Sequence, residues 1–339
     1  MRLKSLLFAF SILIINSLYS QDLHFTQYYL SPLQLNPANT GDFFGSIRIG
    51  GIYRGQNFTP NNIGNYRTPL IYGDAPLKGL RRKDWIGLGV TLYQDQAGVA
   101  NVTNSGLFGS AAYHFAVSKD AKTVLSAGVM AGYAQLKLGD KDKLVFADAI
   151  KSGNASTDLN ALSTQTVKDL DVSAGLTLKT PLNNAMNMTL GFAVRHINRP
   201  SKLSLLTSGG SSARKRLNYS FNGAFDLALN DRLTLTPQFM FQTTAKQREI
   251  MVQALSSYKL KKDNPLKLQA GLGYRLGDAA QILLGADWGN LRVGMAYDLR
   301  VSSQSNIDGG NGAFELGVAY IVKIYKNPKV DPVIFCPRF

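Results

Sequence analysis

Long stretches of this chain alternate apolar and polar residues with a period of two, and that pattern most narrows what the chain can fold into. Successive side chains of a β-strand point to opposite faces, so sustained alternation defines a strand with one apolar and one polar side. In 170–179, Leu170, Val172, Ala174, Leu176 and Leu178 share one face, while Asp171, Ser173, Gly175, Thr177 and Lys179 share the other. The segment 217–229 sets Leu217, Tyr219, Phe221, Phe225, Leu227 and Leu229 against Asn218, Ser220, Asn222, Ala224 and Asp226. The same division recurs over 266–276, 291–301 and 314–324. Alternation alone also fits a soluble β-sandwich with a dry core and a wet surface. Three features favour a membrane barrel. The segments run to about 11 residues, the length of a tilted membrane-crossing strand rather than the five or six usual in globular sheets. The polar face mixes Gly, Asn, Gln, Arg and Asp, as a hydrated lumen requires. Lastly, about fourteen such strands follow one another, and an open sheet of that length leaves edges that closure removes.

Connection lengths give an independent argument. The strands are expected at 46–56, 66–78, 84–95, 102–117, 122–138, 169–180, 186–197, 216–229, 232–245, 247–260, 266–276, 279–288, 291–302 and 313–325. The long connections, 57–65, 139–168, 198–215 and 303–312, are all odd-numbered, and the even-numbered ones are short. Outer-membrane barrels have short periplasmic turns and long outer loops. The sequence therefore predicts an all-β transmembrane antiparallel barrel of about 14 strands over 46–325, with both termini periplasmic. Pro237 falls inside the ninth strand, where it cannot donate to the ladder, and predicts a bulge.

Composition agrees. Charged residues are 17% of the chain, below the roughly 25% usual for soluble domains. The 32 Gly, 15 Tyr and 17 Phe suit a β-rich chain with many turns. Among the acidic residues only Glu249 and Glu315 are Glu; Asp favours turns and caps, so long surface helices are not expected.

Residues 1–20 read as a secretory signal peptide. Arg2 and Lys4 form a positive start, Leu6 to Ile15 an apolar stretch, and a polar run ends at Ser20. Losing Arg2 and Lys4 lowers the net charge from +15 to +13. Basic charge on this scale goes with nucleic acid or an anionic membrane surface. No basic helix or aromatic-interleaved RNA motif accompanies it, so outer-membrane lipid, and no nucleic acid, is the expected partner.

Motifs for chemistry are lacking. His24, His114 and His196 lie far apart without ligand spacing. Gly87-Leu-Gly89 and Gly271-Leu-Gly273 do not open helices and read as strand glycines. There is no G-x-S-x-G elbow and no P-loop, and the single Cys336 leaves no cysteine-based zinc site. No enzyme, metal or cofactor is expected. Asp140, Asp142, Asp148 and Asp158 alternate with lysines in a long loop and read as solvated, as does Arg214-Lys215-Arg216.

The segment 21–45 is the least strand-like part of the mature chain. Pro32 and Pro37 interrupt it, while Phe25, Tyr28, Tyr29, Leu30, Leu33 and Leu35 need burial. Fourteen strands enclose more space than wall side chains alone can fill, so the segment can plug the barrel mouth. A periplasmic clasp on the barrel's outside is the alternative. The run from Gln21 to Gly41, with Phe25-Thr26-Gln27-Tyr28-Tyr29 followed by Asn36-Pro37-Ala38, resembles the opening of the PorP/SprF-like family of type IX secretion system membrane proteins. Tyr53-Arg54-Gly55-Gln56 and the ending Val333 to Cys336-Pro337-Arg338-Phe339 are similar too. The resemblance implies an outer-membrane barrel serving protein secretion or gliding, with a secreted surface protein or adhesin and periplasmic secretion-machinery components as partners. Phe25, Gln27, Tyr28, Tyr29, Asn36, Pro37, Cys336, Pro337, Arg338 and Phe339 are the candidate plug or partner-binding residues. A diffusion channel for small, anionic solutes is the competing function. The tail 326–339, interrupted by Pro328, Pro332 and Pro337, is expected to leave the barrel on the periplasmic side.

Overall fold

A computed structural model describes residues 23–56, 66–78, 83–139 save 99, 119 and 121, 166–200, 214–260 save 246, 265–301 and 312–324. The expected signal peptide 1–20, most of the long loop 139–168 and the tail from 325 lie outside these residues. Fourteen antiparallel strands close into one barrel: β1 (Ile47–Gln56), β2 (Tyr66–Lys78), β3 (Trp85–Ala97), β4 (Val102–Ala116), β5 (Val124–Lys137), β6 (Thr166–Asn183), β7 (Met186–Arg195), β8 (Asn218–Ala228), β9 (Leu233–Thr244), β10 (Gln247–Lys259), β11 (Leu266–Arg275), β12 (Ala279–Trp288), β13 (Leu291–Arg300) and β14 (Ala313–Val322). Each pairs with its neighbours in sequence, and β1 closes on β14 from Ile47 opposite Val322 to Gln56 opposite Ala313. No backbone edge is left unpaired, which is what a span of hydrocarbon demands.

The two faces are inverted relative to a soluble protein. Asp171, Ser173 and Thr177 of β6 are buried while Leu170 and Leu176 are exposed. Ser220 and Asn222 of β8 are buried while Tyr219 and Phe221 are exposed. Polar side chains therefore face inward and apolar ones outward, an apolar surface far too extensive for a soluble monomer. Tyr53, Tyr133, Tyr219, Tyr274 and Tyr297 stand on the outer face near the barrel end that carries the long connections. Tyr258, Trp288 and Tyr320 stand near the opposite ends. Amphipathic rings at both borders of an apolar band mark the two membrane interfaces.

Pro237 differs from expectation. The β8–β9 register is the same on both sides of it, Ala224 opposite Gln238 and Leu227 opposite Leu235, so no residue is inserted and there is no bulge. Proline removes a donor without adding a residue, and the gap is bridged by the Thr236 hydroxyl donating to Asp226 at 2.8 Å. Pro69 repeats this on β2: the pairing steps from Arg67–Gln96 to Leu70–Tyr93, and Thr68 donates to Asp95 at 2.6 Å. The register shift that does occur lies between Pro181 and Asn183 of β6.

Candidate functional site inside the barrel

The chain ahead of β1 cannot join the sheet. It folds into a 3₁₀ turn (Tyr28–Leu30), a single α-helical turn (Pro32–Leu35) and a second 3₁₀ turn (Pro37–Asn39). Pro32 and Pro37 each open a turn, where a missing N–H costs nothing. The Asn36 side chain accepts from the Ala38 N–H at 2.9 Å and so caps the last turn.

This segment lies within the barrel, because it touches side chains and backbone carbonyls of the wall on every side. Thr26 meets side chains of β1, β10, β11, β12, β13 and β14. The Asn36 amide donates to the carbonyls of Leu176 on β6 and Phe192 on β7, at 2.9 and 3.2 Å. Arg195 on β7 donates to the Gln34 carbonyl at 2.8 Å. Thr40 donates to Ser110 on β4 at 2.9 Å.

Its two halves are held differently. Around Thr26 the contacts are ionic and polar. The Glu315 carboxylate accepts from the backbone N–H groups of Thr26 and Gln27 at 2.6 and 2.8 Å. The Thr26 hydroxyl donates to Asp298 at 2.7 Å and accepts from Arg54 and Arg275, each at 3.0 Å. Arg54 is paired with Glu315 and Asp298, and Arg275 with Glu249, Asp278 and Asp298. Burial lowers the pKa of His24; Arg54 and Arg275 add to the shift, while Glu249 and Asp298 oppose it.

From Leu30 onward the wall receives the segment in glycine pits. A Cβ on Gly317 would stand 2.6 Å from the Leu30 side chain, and one on Gly89 2.8 Å from Leu33. On Gly175 it would meet the Asn36 side chain at 2.0 Å, on Gly128 the Pro37 backbone at 2.4 Å, and on Gly87 the Thr40 carbonyl at 1.8 Å. Where the segment leaves for β1, Gly41 takes a left-handed φ of +74° and donates its N–H to Asp74 at 2.6 Å. Trp85 donates to the Gly41 carbonyl at 3.0 Å, and His114, stacked on Trp85, contacts the Thr40 carbonyl and Ser126.

Six of the ten candidate residues from sequence meet here. Phe25 packs with Ile52, Leu70 and Tyr72. Tyr28 packs with Leu35, Met240 and Met251, and Tyr29 lies edge-on to Tyr28. Gln27, Asn36 and Pro37 sit in the contacts just given. Cys336, Pro337, Arg338 and Phe339 lie outside the described residues. Placement of the whole segment 21–41 at one end needs correction. An even strand count fixes where β1 begins and β14 ends, but the chain before β1 climbs back through the lumen. Thr40 and Gly41 lie at the barrel end of the even-numbered turns, whereas Thr26 lies among Arg54, Arg275 and Asp298, at the opposite end, which carries the long connections. Sequence reasoning missed the wall itself: Arg54, Arg275, Asp298 and Glu315, and the glycine pits. One signal was present, since Glu315 is one of two Glu in the chain and falls on the polar face of a strand.

A closed barrel with an apolar exterior, two aromatic borders and its own leading segment in the lumen is an integral outer-membrane β-barrel protein. The chain belongs to the PorP/SprF family of type IX secretion system membrane proteins, whose sequence model matches residues 17–320. No curated protein matches the sequence. Among solved structures, it is similar to the toluene transporter TbuX of Ralstonia pickettii at 13% identity, with a TM-score of 0.54 over 87% of this chain and 94% of that one. The toluene transporter TodX of P. putida is similar at 10% identity, with a TM-score of 0.52 over 86% and 93%. At these identities the likeness shows the fold alone.

Proposed function

We propose that this protein is an accessory of type IX secretion or gliding motility that supports export or surface anchoring of a secreted adhesin-like partner. The observation that carries this is the occupied lumen. The segment 23–41 reaches walls on all sides, so it acts as a plug and leaves the barrel a scaffold rather than a pore. Outer-membrane barrels turn their short connections to the periplasm, and the end of β14 lies on that side, within reach of the secretion machinery. Deleting the gene and assaying the surface for the missing secreted protein, with pull-down of the barrel from outer membranes, tests the reading. An unchanged set of secreted proteins contradicts it.

The second reading is a diffusion channel. The polar inner wall favours it, and the similar solved barrels are toluene transporters. It needs a lumen that conducts.

A further inference from the structure

We propose that the inner wall of β10 to β14 and β1 is a peptide-binding cleft, that residues Leu23–Ser31 are its displaceable occupant, and that a short segment of a partner polypeptide takes their place. The wall reads main chain as much as side chain. Glu315 takes two successive N–H groups, and Gln253 donates to the Thr26 carbonyl at 2.9 Å. One side chain is read closely: Asp298, Arg54, Arg275 and Gln281 all converge on the Thr26 hydroxyl. Gly294 and Gly317 leave room for the residues that follow, Gln27 and Leu30. Such a site takes a short peptide with Ser or Thr at one position and leaves most of the remaining sequence free.

Charge gives the cleft its preference. Two arginines, Arg54 and Arg275, face four carboxylates, Glu249, Asp278, Asp298 and Glu315. This local acidic excess around Thr26 suits backbone N–H donors and disfavours a carboxylate at that position of the peptide.

The resident segment also fits incompletely. The side-chain amide of Gln27 and the hydroxyl of Tyr28 are buried without a hydrogen-bond partner. Buried polar groups left unpaired weaken the state that buries them, so the occupant is held less firmly than its contacts suggest. Both lie within Leu23–Ser31. Within Pro32–Gly41, Asn36, Asn39 and Thr40 are all partnered. Leu23–Ser31 is therefore the part that moves and Pro32–Gly41 the part that stays.

The proposal deepens the accessory reading and rests on it for the partner's identity, but the binding itself is measured without a secretion assay. A fluorescent synthetic peptide of residues 23–31 is titrated into the purified barrel in detergent. Four proteins are compared: wild type, full-length Thr26→Val, the same variant with Glu315→Gln added, and a barrel lacking 23–31. Thr26→Val weakens the resident occupant, so it should bind the peptide at least ten-fold more tightly than wild type, and the truncated barrel more tightly still. Adding Glu315→Gln to Thr26→Val should weaken peptide binding at least ten-fold, as should replacing Thr by Val within the peptide. The full-length variant decides the matter if the truncated barrel does not fold. Absence of binding to Thr26→Val, or equal binding of the Val-containing peptide, overturns the cleft. Peptide binding without any secretion defect in the gene deletion would leave the cleft standing and remove the accessory reading.

Discussion

Arg54 and Glu315 face each other directly across the β1–β14 seam, paired in register and joined by an ion pair with both side chains buried. The contact that closes the barrel is thus also a contact that holds its luminal segment, since Glu315 receives Thr26 and Gln27.

Glu315→Gln should destabilise the barrel by about 3–5 kcal/mol, because it leaves the Arg54 guanidinium buried with one fewer counter-charge. The double variant Arg54→Met with Glu315→Leu should cost less than either single change, yet leave Thr26 unheld. Urea unfolding followed by heat-modifiable migration measures the stability. A double-variant cost equal to the sum of the two single-variant costs would show that the pair is not coupled.

The glycine pits predict a position-specific effect. Gly128→Val drives a side chain into the Pro37 backbone and should expel Pro32–Gly41 from its seat. Gly109→Val, on the outer face with open space around its Cβ, should change nothing. Thiol labelling of a cysteine introduced at Thr40 reads the difference: fast in the first background, slow in the second.

Acid should loosen the segment. Burial holds His24 below its ordinary pKa of about 6.5, so docking favours the neutral ring. That stabilisation is present above the ordinary value and lost as pH falls below it. The groups around the ring are Glu249, Asp298 and Asp95, which oppose the shift, and Arg54 and Arg275, which favour it. Labelling of a cysteine introduced at Tyr28 should quicken between pH 7 and pH 5, and His24→Phe should flatten the profile. A rate that rises equally in the His24→Phe background would place the acid sensitivity elsewhere.

The strands were legible because their physics is local. Period two in 217–229 follows from facing lipid on one side and the lumen on the other, and β8 runs Asn218–Ala228. The luminal segment was legible only as chain that needs cover, with plug and clasp left open. Its partners lie far off in sequence, Thr26 with Glu315 and Asn36 with Phe192, and no local pattern encodes them. Gly87, Gly89 and Gly175 looked like ordinary strand glycines because a pit is defined by what enters it. Pro237 misled because a lost donor and an inserted residue leave the same mark in sequence.

Planar-bilayer conductance of the intact mature protein tests the central claim most directly. With residues 23–41 seated among inner-wall residues on every side, the full-length barrel should show no stable conductance, and a variant lacking those residues should open. A large, stable conductance from the intact protein would contradict a closed accessory barrel and establish a channel in its place.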